Sequence, residues 1–137
     1  MSKLREYVSE IAMPTFQDFD REQNLRRACL AAVAIFHCVD RAKEDLKAAG
    51  VASRGLRERW THESMAFKLV DAVAHRFKHV NSNLESRKQK QWQDQLTIGD
   101  VLGRTNVTTF RSVLIEALEF VEKQDKKLPA LTGQPTP

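Results

Sequence analysis

Three residues with chemically capable side chains recur every four positions in one predicted helix: Asp71, His75 and His79. At about 100° per residue, this spacing places their side chains on one side of the helix. The apolar residues of the same segment project to the opposite side; they are Ala66, Leu69, Val70, Val73, Phe77 and Val80. The polar stripe is therefore expected to point away from the core, as a solvated surface, a metal pair or an interface.

A metal ion is one ligand that this stripe would suit. His75 and His79 have the i, i+4 spacing that lets two imidazoles share a metal ion, and Asp71 would add a carboxylate. The preceding helix offers further ligands, namely His37, Asp40 and Glu44. Metal sites inside helical bundles, however, point inward and use several carboxylates with Glu-x-x-His pairs, which this stripe lacks. We therefore expect no bound metal and no other cofactor.

Nucleophilic catalysis of the hydrolase type has little support in the sequence. Such an enzyme needs a nucleophile, a base and an orienting acid, with the nucleophile commonly on a sharp turn. The chain has no G-x-S-x-G segment and no Gly-rich phosphate loop. Cys38 directly follows His37, and successive helix residues point about 100° apart, so these two residues cannot act as a dyad.

The charge balance is mildly basic. Lys and Arg number 22 against 18 Asp and Glu, which gives a formal charge of +4 and a pI of about 9.3. The two signs are mixed in segments such as 41–47, which is typical of a solvated surface rather than a nucleic-acid face. One basic stretch, Arg87, Lys88 and Lys90 beside Trp92, would suit phosphate contacts and base stacking, so RNA is kept among the partners considered.

Cysteine usage and hydropathy indicate a cytoplasmic protein. Cys29 and Cys38 lie on one predicted helix, about 13 Å apart along its axis, which is too far for a disulfide. We expect both to be buried thiols. No run of 18 apolar residues is present and no signal peptide precedes the first polar residues, so we expect neither secretion nor a membrane span.

Apolar periodicity predicts four helices. Their predicted ranges are 2–12, 16–49, 56–81 and 107–125. The first is expected to end at Pro14, and Gly50 is expected to follow the second as its C′ residue. Residues 28–39 are apolar on nearly every side, which predicts a central helix that is buried on more than one side.

These elements predict an all-α fold that resembles a four-helix bundle of up-down helices. We assign residues 1–127 to a single helical domain. An irregular connection is expected over 82–106, with an exposed loop at 82–95 and a short element at 96–103. A flexible tail is expected over 128–137.

The segment LVDAVAHRF, residues 69–77, resembles the signature of the HEPN superfamily of small bacterial helical bundles, over roughly residues 67–80. That signature is an Arg, a polar residue, and a His four to six positions after the Arg, often followed by an aromatic residue. In this chain Asp71 takes the polar place, His75 that of the histidine and Phe77 that of the aromatic. The resemblance implies a metal-independent ribonuclease that acts as a dimer, in a toxin or a phage-defence system.

The match departs from the signature at the arginine. Val70 stands at that place, so by this alignment a ribonuclease site would be inactive. A literal Arg-x4-His does occur from Arg57 to His62, near the start of the third predicted helix. Arg and His are frequent enough in this chain that one such pair is expected by chance.

Our first functional interpretation is a bacterial cytoplasmic helical bundle that forms a homodimer or binds another protein or a ligand, rather than an enzyme. The central helix is apolar all round, and Trp60 and Phe67 share a flank of the third helix with Lys78 beside Asp71. This is more apolar surface than one small bundle easily hides. We therefore expect that flank to be a second contact surface.

Two other interpretations stay open. In the first, the protein is an HEPN-like ribonuclease in which His75, His62 or Arg57 contacts the phosphate or acts as acid or base. Arg76 and Lys78 would then assist on the RNA. In the second, the protein is a metal-binding bundle whose ligands are Asp71, His75 and His79.

Overall fold

The fold is known from a computed structural model that describes residues 2–87 and 106–131, with side chains described through Lys78 and from Asn106 to Leu128. Its helices are α1 (Lys3–Tyr7), a π-helical turn (Val8–Ala12), α2 (Met13–Arg21), α3 (Leu25–Phe36), α4 (Cys38–Ala48), α5 (Leu56–Glu63), α6 (Met65–Arg87) and α7 (Val107–Leu131). No strand occurs in the described ranges. The predicted all-α class is confirmed.

The first helix does not end at Pro14, and that prediction was wrong. The helix passes through the π turn, where the Met13 amide donates to the Val8 carbonyl, and continues as α2 to Arg21. Pro14 falls in the first turn of α2, directly after the π turn, where the backbone hydrogen-bond pattern already changes. At the start of α1, Ser2 Oγ accepts from the Arg5 amide at 3.0 Å.

The second predicted helix is divided into three pieces, so its prediction as one element was wrong. α2 ends at Arg21, and Asn24 starts α3 by accepting the Arg27 amide on Oδ1 at 2.9 Å. His37, with ψ near −6°, separates α3 from α4. The end at Gly50 is confirmed, since Gly50 has φ of 73° and the Val51 amide donates to the Leu46 carbonyl at 2.8 Å.

The third predicted helix is a helical hairpin. Ser64 is extended, with φ of −130° and ψ of 113°, and it separates α5 from α6. Its Oγ accepts the Phe67 amide at 3.0 Å and so caps the start of α6. Beyond this bend the chain folds back, and Trp60 on α5 packs against Phe67 on α6 with ring centroids 5.3 Å apart.

The core lies where α3 packs against α2, α6 and α7. α3 is buried on several sides, as predicted; its buried residues are Ala28, Cys29, Ala31, Ala32, Ala34, Ile35 and Phe36. α1 and α2 run antiparallel to α7, because Arg5 pairs with Asp125 and Arg111 pairs with Asp20. Among the described residues, none of the helices is both long and apolar enough to cross a membrane.

Two predicted boundaries shift. α6 continues to Arg87, so the first residues of the expected irregular connection are helical. α7 continues to Leu131, and Leu128 is 6% exposed, so the first residues of the expected tail belong to a packed helix. The predicted element at 96–103, residues 88–95 of the expected exposed loop and the last six residues of the expected tail lie outside the described residues.

Candidate functional site

An ion pair between α5 and α6 forms the base of the candidate site. Arg57 Nε lies 3.0 Å from Asp71 Oδ2, and Arg57 Nη2 lies 2.9 Å from Asp71 Oδ1, so the contact is bidentate. Asp71 is only 8% exposed. For Asp71, the expectation that the stripe points away from the packed interior was therefore wrong, because α5 folds back at Ser64 and covers that side of α6. The His75 side chain, one turn further along α6, is 40% exposed.

His75 joins this ion pair. Its Nδ1 lies 2.9 Å from the backbone carbonyl oxygen of Asp71 and 2.8 Å from Asp71 Oδ1. Its Nε2 lies 3.2 Å from Arg57 Nη2. Both oxygens can only accept and the guanidinium can only donate, so Nδ1 carries the proton and Nε2 accepts. This gives a chain of contacts from carboxylate to imidazole to guanidinium, which we call the Arg57 relay.

A second chain of the same kind lies where α3 meets α4. His37 Nδ1 lies 2.8 Å from Asp40 Oδ2, one helical turn away, and His37 Nε2 lies 3.3 Å from Lys78 Nζ. By the same donor and acceptor rules, Nδ1 is protonated and Nε2 accepts. We call this carboxylate–imidazole–ammonium chain the Lys78 relay.

Phe36 lies between the two relays. Its ring centroid is 5.2 Å from that of His37 and 5.3 Å from that of His75. Lys78 Nζ lies 5.2 Å and Arg57 Cζ 5.4 Å from the same ring, which are cation–π distances. The residues of both relays together with Phe36 are named the Phe36 cluster: Phe36, His37, Asp40, Arg57, Asp71, His75 and Lys78.

The electrostatics of the cluster depend on its two histidines. The hydrogen bonds that Arg57 donates to Asp71 raise the pKa of Arg57 above its usual value, so the guanidinium stays charged. With neutral imidazoles, the Asp40 and Asp71 carboxylates balance Arg57 and Lys78. The side chains of both histidines are more than a third exposed, 38% for His37 and 40% for His75, so a substrate can reach them.

Arg57 keeps hydrogen-bonding capacity that the ion pair does not use. Its Nε and Nη2 contact Asp71, and Nη2 also faces His75. Within the ranges that the structure describes, Nη1 of Arg57 has no hydrogen-bond partner. A guanidinium that is anchored on one edge and open on another can bind a phosphate oxygen without leaving its carboxylate.

Three other predicted site residues lie elsewhere. Trp60 and Phe67 are 2% and 0% exposed, so the contact surface expected there was wrong; both rings pack on Phe120 in the core. His62 is exposed on α5, and its five positions from Arg57 turn it about 140° away. The literal Arg-x4-His pair is therefore not brought together.

The last two predicted site residues are Arg76 and His79. Arg76 is exposed on α6, next to His75 in sequence. The side chain of His79 lies outside the described residues. Within the described ranges, no group of three or more His, Cys, Asp and Glu side chains is placed to hold a metal ion.

Sequence reasoning missed the role of Phe36, and it considered His37 and Asp40 only as extra metal ligands. Their i, i+3 spacing was a usable signal for a carboxylate–imidazole pair. Nothing in the sequence joins them to Lys78, which is 41 positions away. The cysteines are buried as predicted, and burial raises the pKa of Cys29 to about 12 and that of Cys38 further, so both are inert thiols.

Comparison of the chain with protein-family models, with curated proteins and with solved structures finds no match in any of the three.

Proposed function

We propose that this protein is a metal-independent ribonuclease whose active site is the Phe36 cluster. The observation that carries the proposal is the Arg57 relay, in which His75 is held by Asp71 on Nδ1 and faces Arg57 with Nε2. A carboxylate that fixes the tautomer of a histidine beside an anchored cation is an arrangement suited to proton transfer next to an anion.

RNA is the phosphodiester that this chemistry fits, because RNA carries its own nucleophile. His75 Nε2 would take the proton of the 2′-hydroxyl, and the 2′-oxygen would attack the adjacent phosphorus. Arg57 would stabilise the charge that develops on the non-bridging phosphate oxygens. The bond from phosphorus to the 5′-oxygen then breaks, the 5′-oxygen receives a proton, and the product is a 2′,3′-cyclic phosphate.

The HEPN signature that residues 69–77 resemble combines an arginine with a histidine, as the Arg57 relay does. In that alignment Val70 takes the place of the arginine, and Val70 is fully buried. Arg57, which lies on a different helix, provides the guanidinium beside His75 instead. The sequence alone favours partner binding over catalysis, and the meeting of Arg57 with His75 is what makes the catalytic alternative the better proposal.

The test is cleavage of an end-labelled RNA by the purified protein in excess EDTA. We expect the wild-type protein to cleave it, and His75→Gln to reduce kcat/KM by about 10²–10⁴-fold, the usual contribution of one acid or base. His62→Gln removes the histidine of the literal motif and is expected to stay within about twofold. The proposal fails if wild-type protein leaves the RNA intact, or if His75→Gln cleaves it equally well while folding normally by circular dichroism.

A homodimer is a second proposal, and a separate observation favours it. Met65 and Leu69 lie one turn apart on α6 and are 66% and 38% exposed. Two exposed apolar side chains at this spacing form a strip that a second copy can cover. Sedimentation equilibrium should give twice the chain mass for the wild-type protein and the single mass for Met65→Lys/Leu69→Lys. A wild-type monomer at micromolar concentration would refute it.

A further inference from the structure

We infer that His37 is a second catalytic residue of this site, the general acid that protonates the leaving 5′-oxygen. This inference rests on the proposed ribonuclease function and goes beyond it, because the resemblance assigns no role to this part of the chain. It assigns the two histidines of the Phe36 cluster to the two proton transfers that cleavage of RNA requires.

The two relays contain the same kinds of group in the same order: a carboxylate, an imidazole and a cation. Asp40 binds Nδ1 of His37 at 2.8 Å, as Asp71 does for His75. A cation faces each Nε2, at 3.3 Å for Lys78 and 3.2 Å for Arg57. Each carboxylate therefore directs the proton-exchanging Nε2 of its imidazole toward a cation that can bind phosphate.

The two histidines also share one aromatic neighbour. Both imidazoles contact the ring of Phe36, with centroid distances of 5.2 and 5.3 Å, and both are partly open to solvent. Phe36 itself is 8% exposed and packs in the core, so both imidazoles rest against a ring that the core holds in place. Arg57 and Lys78 lie 5.4 and 5.2 Å from the same ring, so a phosphodiester held between these two cations would lie beside both histidines.

The two cations differ in how firmly they are held, and this difference decides which histidine is the acid. Arg57 is anchored by two hydrogen bonds to the buried Asp71 and can only donate, so it faces an unprotonated His75 Nε2, the form that a base needs. A phosphate oxygen that takes the Nη2 hydrogen bond would leave this nitrogen open to the proton of the 2′-hydroxyl. Lys78 is exposed, and among the described residues its only hydrogen bond is the one to His37. A phosphate can draw Lys78 away, which frees His37 Nε2 to carry a proton.

The proton balance of the step follows from these roles. His75 accepts the proton of the 2′-hydroxyl as the bond between the 2′-oxygen and phosphorus forms. His37, protonated on both nitrogens and stabilised by Asp40, donates its Nε2 proton as the bond between phosphorus and the 5′-oxygen breaks. The site ends with its proton moved from His37 to His75, and exchange with water restores the starting state.

The experiment compares two substrates that differ in their need for an acid. One is a dinucleotide whose leaving 5′-alkoxide requires a proton. The other is a uridine 3′-(4-nitrophenyl phosphate), whose nitrophenolate leaves without one. We expect His37→Gln to lower kcat/KM at least about 100-fold on the dinucleotide and less than about threefold on the aryl ester. His75→Gln should lower both at least about 100-fold, and the matched surface variant Lys68→Gln should change neither.

Each result has one meaning. Equal losses of His37→Gln on both substrates would overturn the assignment, since a structural or substrate-binding role predicts that pattern. No loss on either substrate would also overturn it. If the wild-type protein cleaves neither substrate, the ribonuclease proposal itself fails and this assignment with it. Should His37→Gln fold poorly, Asp40→Asn provides the second variant, with a smaller loss expected on the dinucleotide alone.

Discussion

Nη2 of Arg57 lies 3.2 Å from Nε2 of His75, although the two residues are 18 positions apart and on different helices. The bend at Ser64 allows this contact, because it turns α5 back along α6. Arg57 on α5 then lies beside Asp71 and His75 on α6. A straight helix over the same residues would separate the two side chains by about 27 Å along its axis.

The ion pair beneath this contact should stabilise the fold as well as the site. Arg57→Ala leaves the nearly buried Asp71 carboxylate without its bidentate donor, so we expect the free energy of unfolding to fall by about 1–3 kcal/mol. Urea unfolding followed by circular dichroism measures this. Arg59→Ala, on the exposed side of the same helix, should change it by less than about 0.5 kcal/mol. Equal effects of the two variants would show that the pair with Asp71 adds no stability.

The cap at Ser64 provides a test of the hairpin. Ser64→Ala removes the oxygen that accepts the Phe67 amide, and we expect a loss of about 1 kcal/mol in the free energy of unfolding. Ser112→Ala is the matched control, because Ser112 is exposed inside α7. Thermal unfolding of both variants measures the difference. A Ser64→Ala protein as stable as Ser112→Ala would contradict the capping hydrogen bond at the start of α6.

A substitution at Phe36 should lower the activity on RNA much more than it lowers stability. Phe36→Leu keeps an apolar side chain in the core, so the free energy of unfolding should fall by less than about 1.5 kcal/mol. The imidazoles and cations lose the ring that holds them, and we expect kcat/KM on RNA to fall at least about tenfold. Kinetics and urea unfolding on one preparation give both numbers. Full activity in Phe36→Leu would show that the ring does not position the two relays.

Tyr7, the only tyrosine of the chain, provides a spectroscopic test of packing. Burial raises its pKa from the ordinary 10.0 to about 12, and its hydroxyl donates to the Ala34 carbonyl at 2.9 Å. Because folding favours the neutral phenol, its contribution to stability is full below pH 10 and is lost as the pH rises toward 12. Tyrosinate absorbance should titrate near pH 12 in the native protein and near pH 10 in urea. Identical native and unfolded titrations would contradict this packing.

The sequence pattern predicted the features that depend on neighbouring residues alone, namely the burial of α3 and the glycine that follows α4. Residues 28–36 are apolar all round, and α3 is buried accordingly. Gly50 was predicted as the C′ residue because only a glycine adopts a positive φ easily, and its φ is 73°. The helix breaks at His37 and Ser64 were not predicted, because the spacing of apolar residues continues almost unchanged across both positions.

The missed break at Ser64 explains the errors at the site. On one continuous helix, Trp60 and Phe67 would lie on the same flank, which is why a second contact surface was predicted there. In the hairpin they face each other inside the core, 5.3 Å apart. The i, i+4 pairing of Asp71 with His75 could be predicted from spacing alone. The arrival of Arg57 depends on how α5 packs on α6, which is a tertiary relationship.

The most direct measurement of the central proposal is the chemistry of the cleavage product, by mass spectrometry of an RNA incubated with wild-type protein in EDTA. We predict fragments that end in a 2′,3′-cyclic phosphate, and no cleavage of the same strand with a 2′-deoxy residue at the scissile position, because the 2′-hydroxyl is the nucleophile. Fragments with a 5′-phosphate and a 3′-hydroxyl, or cleavage of the 2′-deoxy strand, would contradict the account.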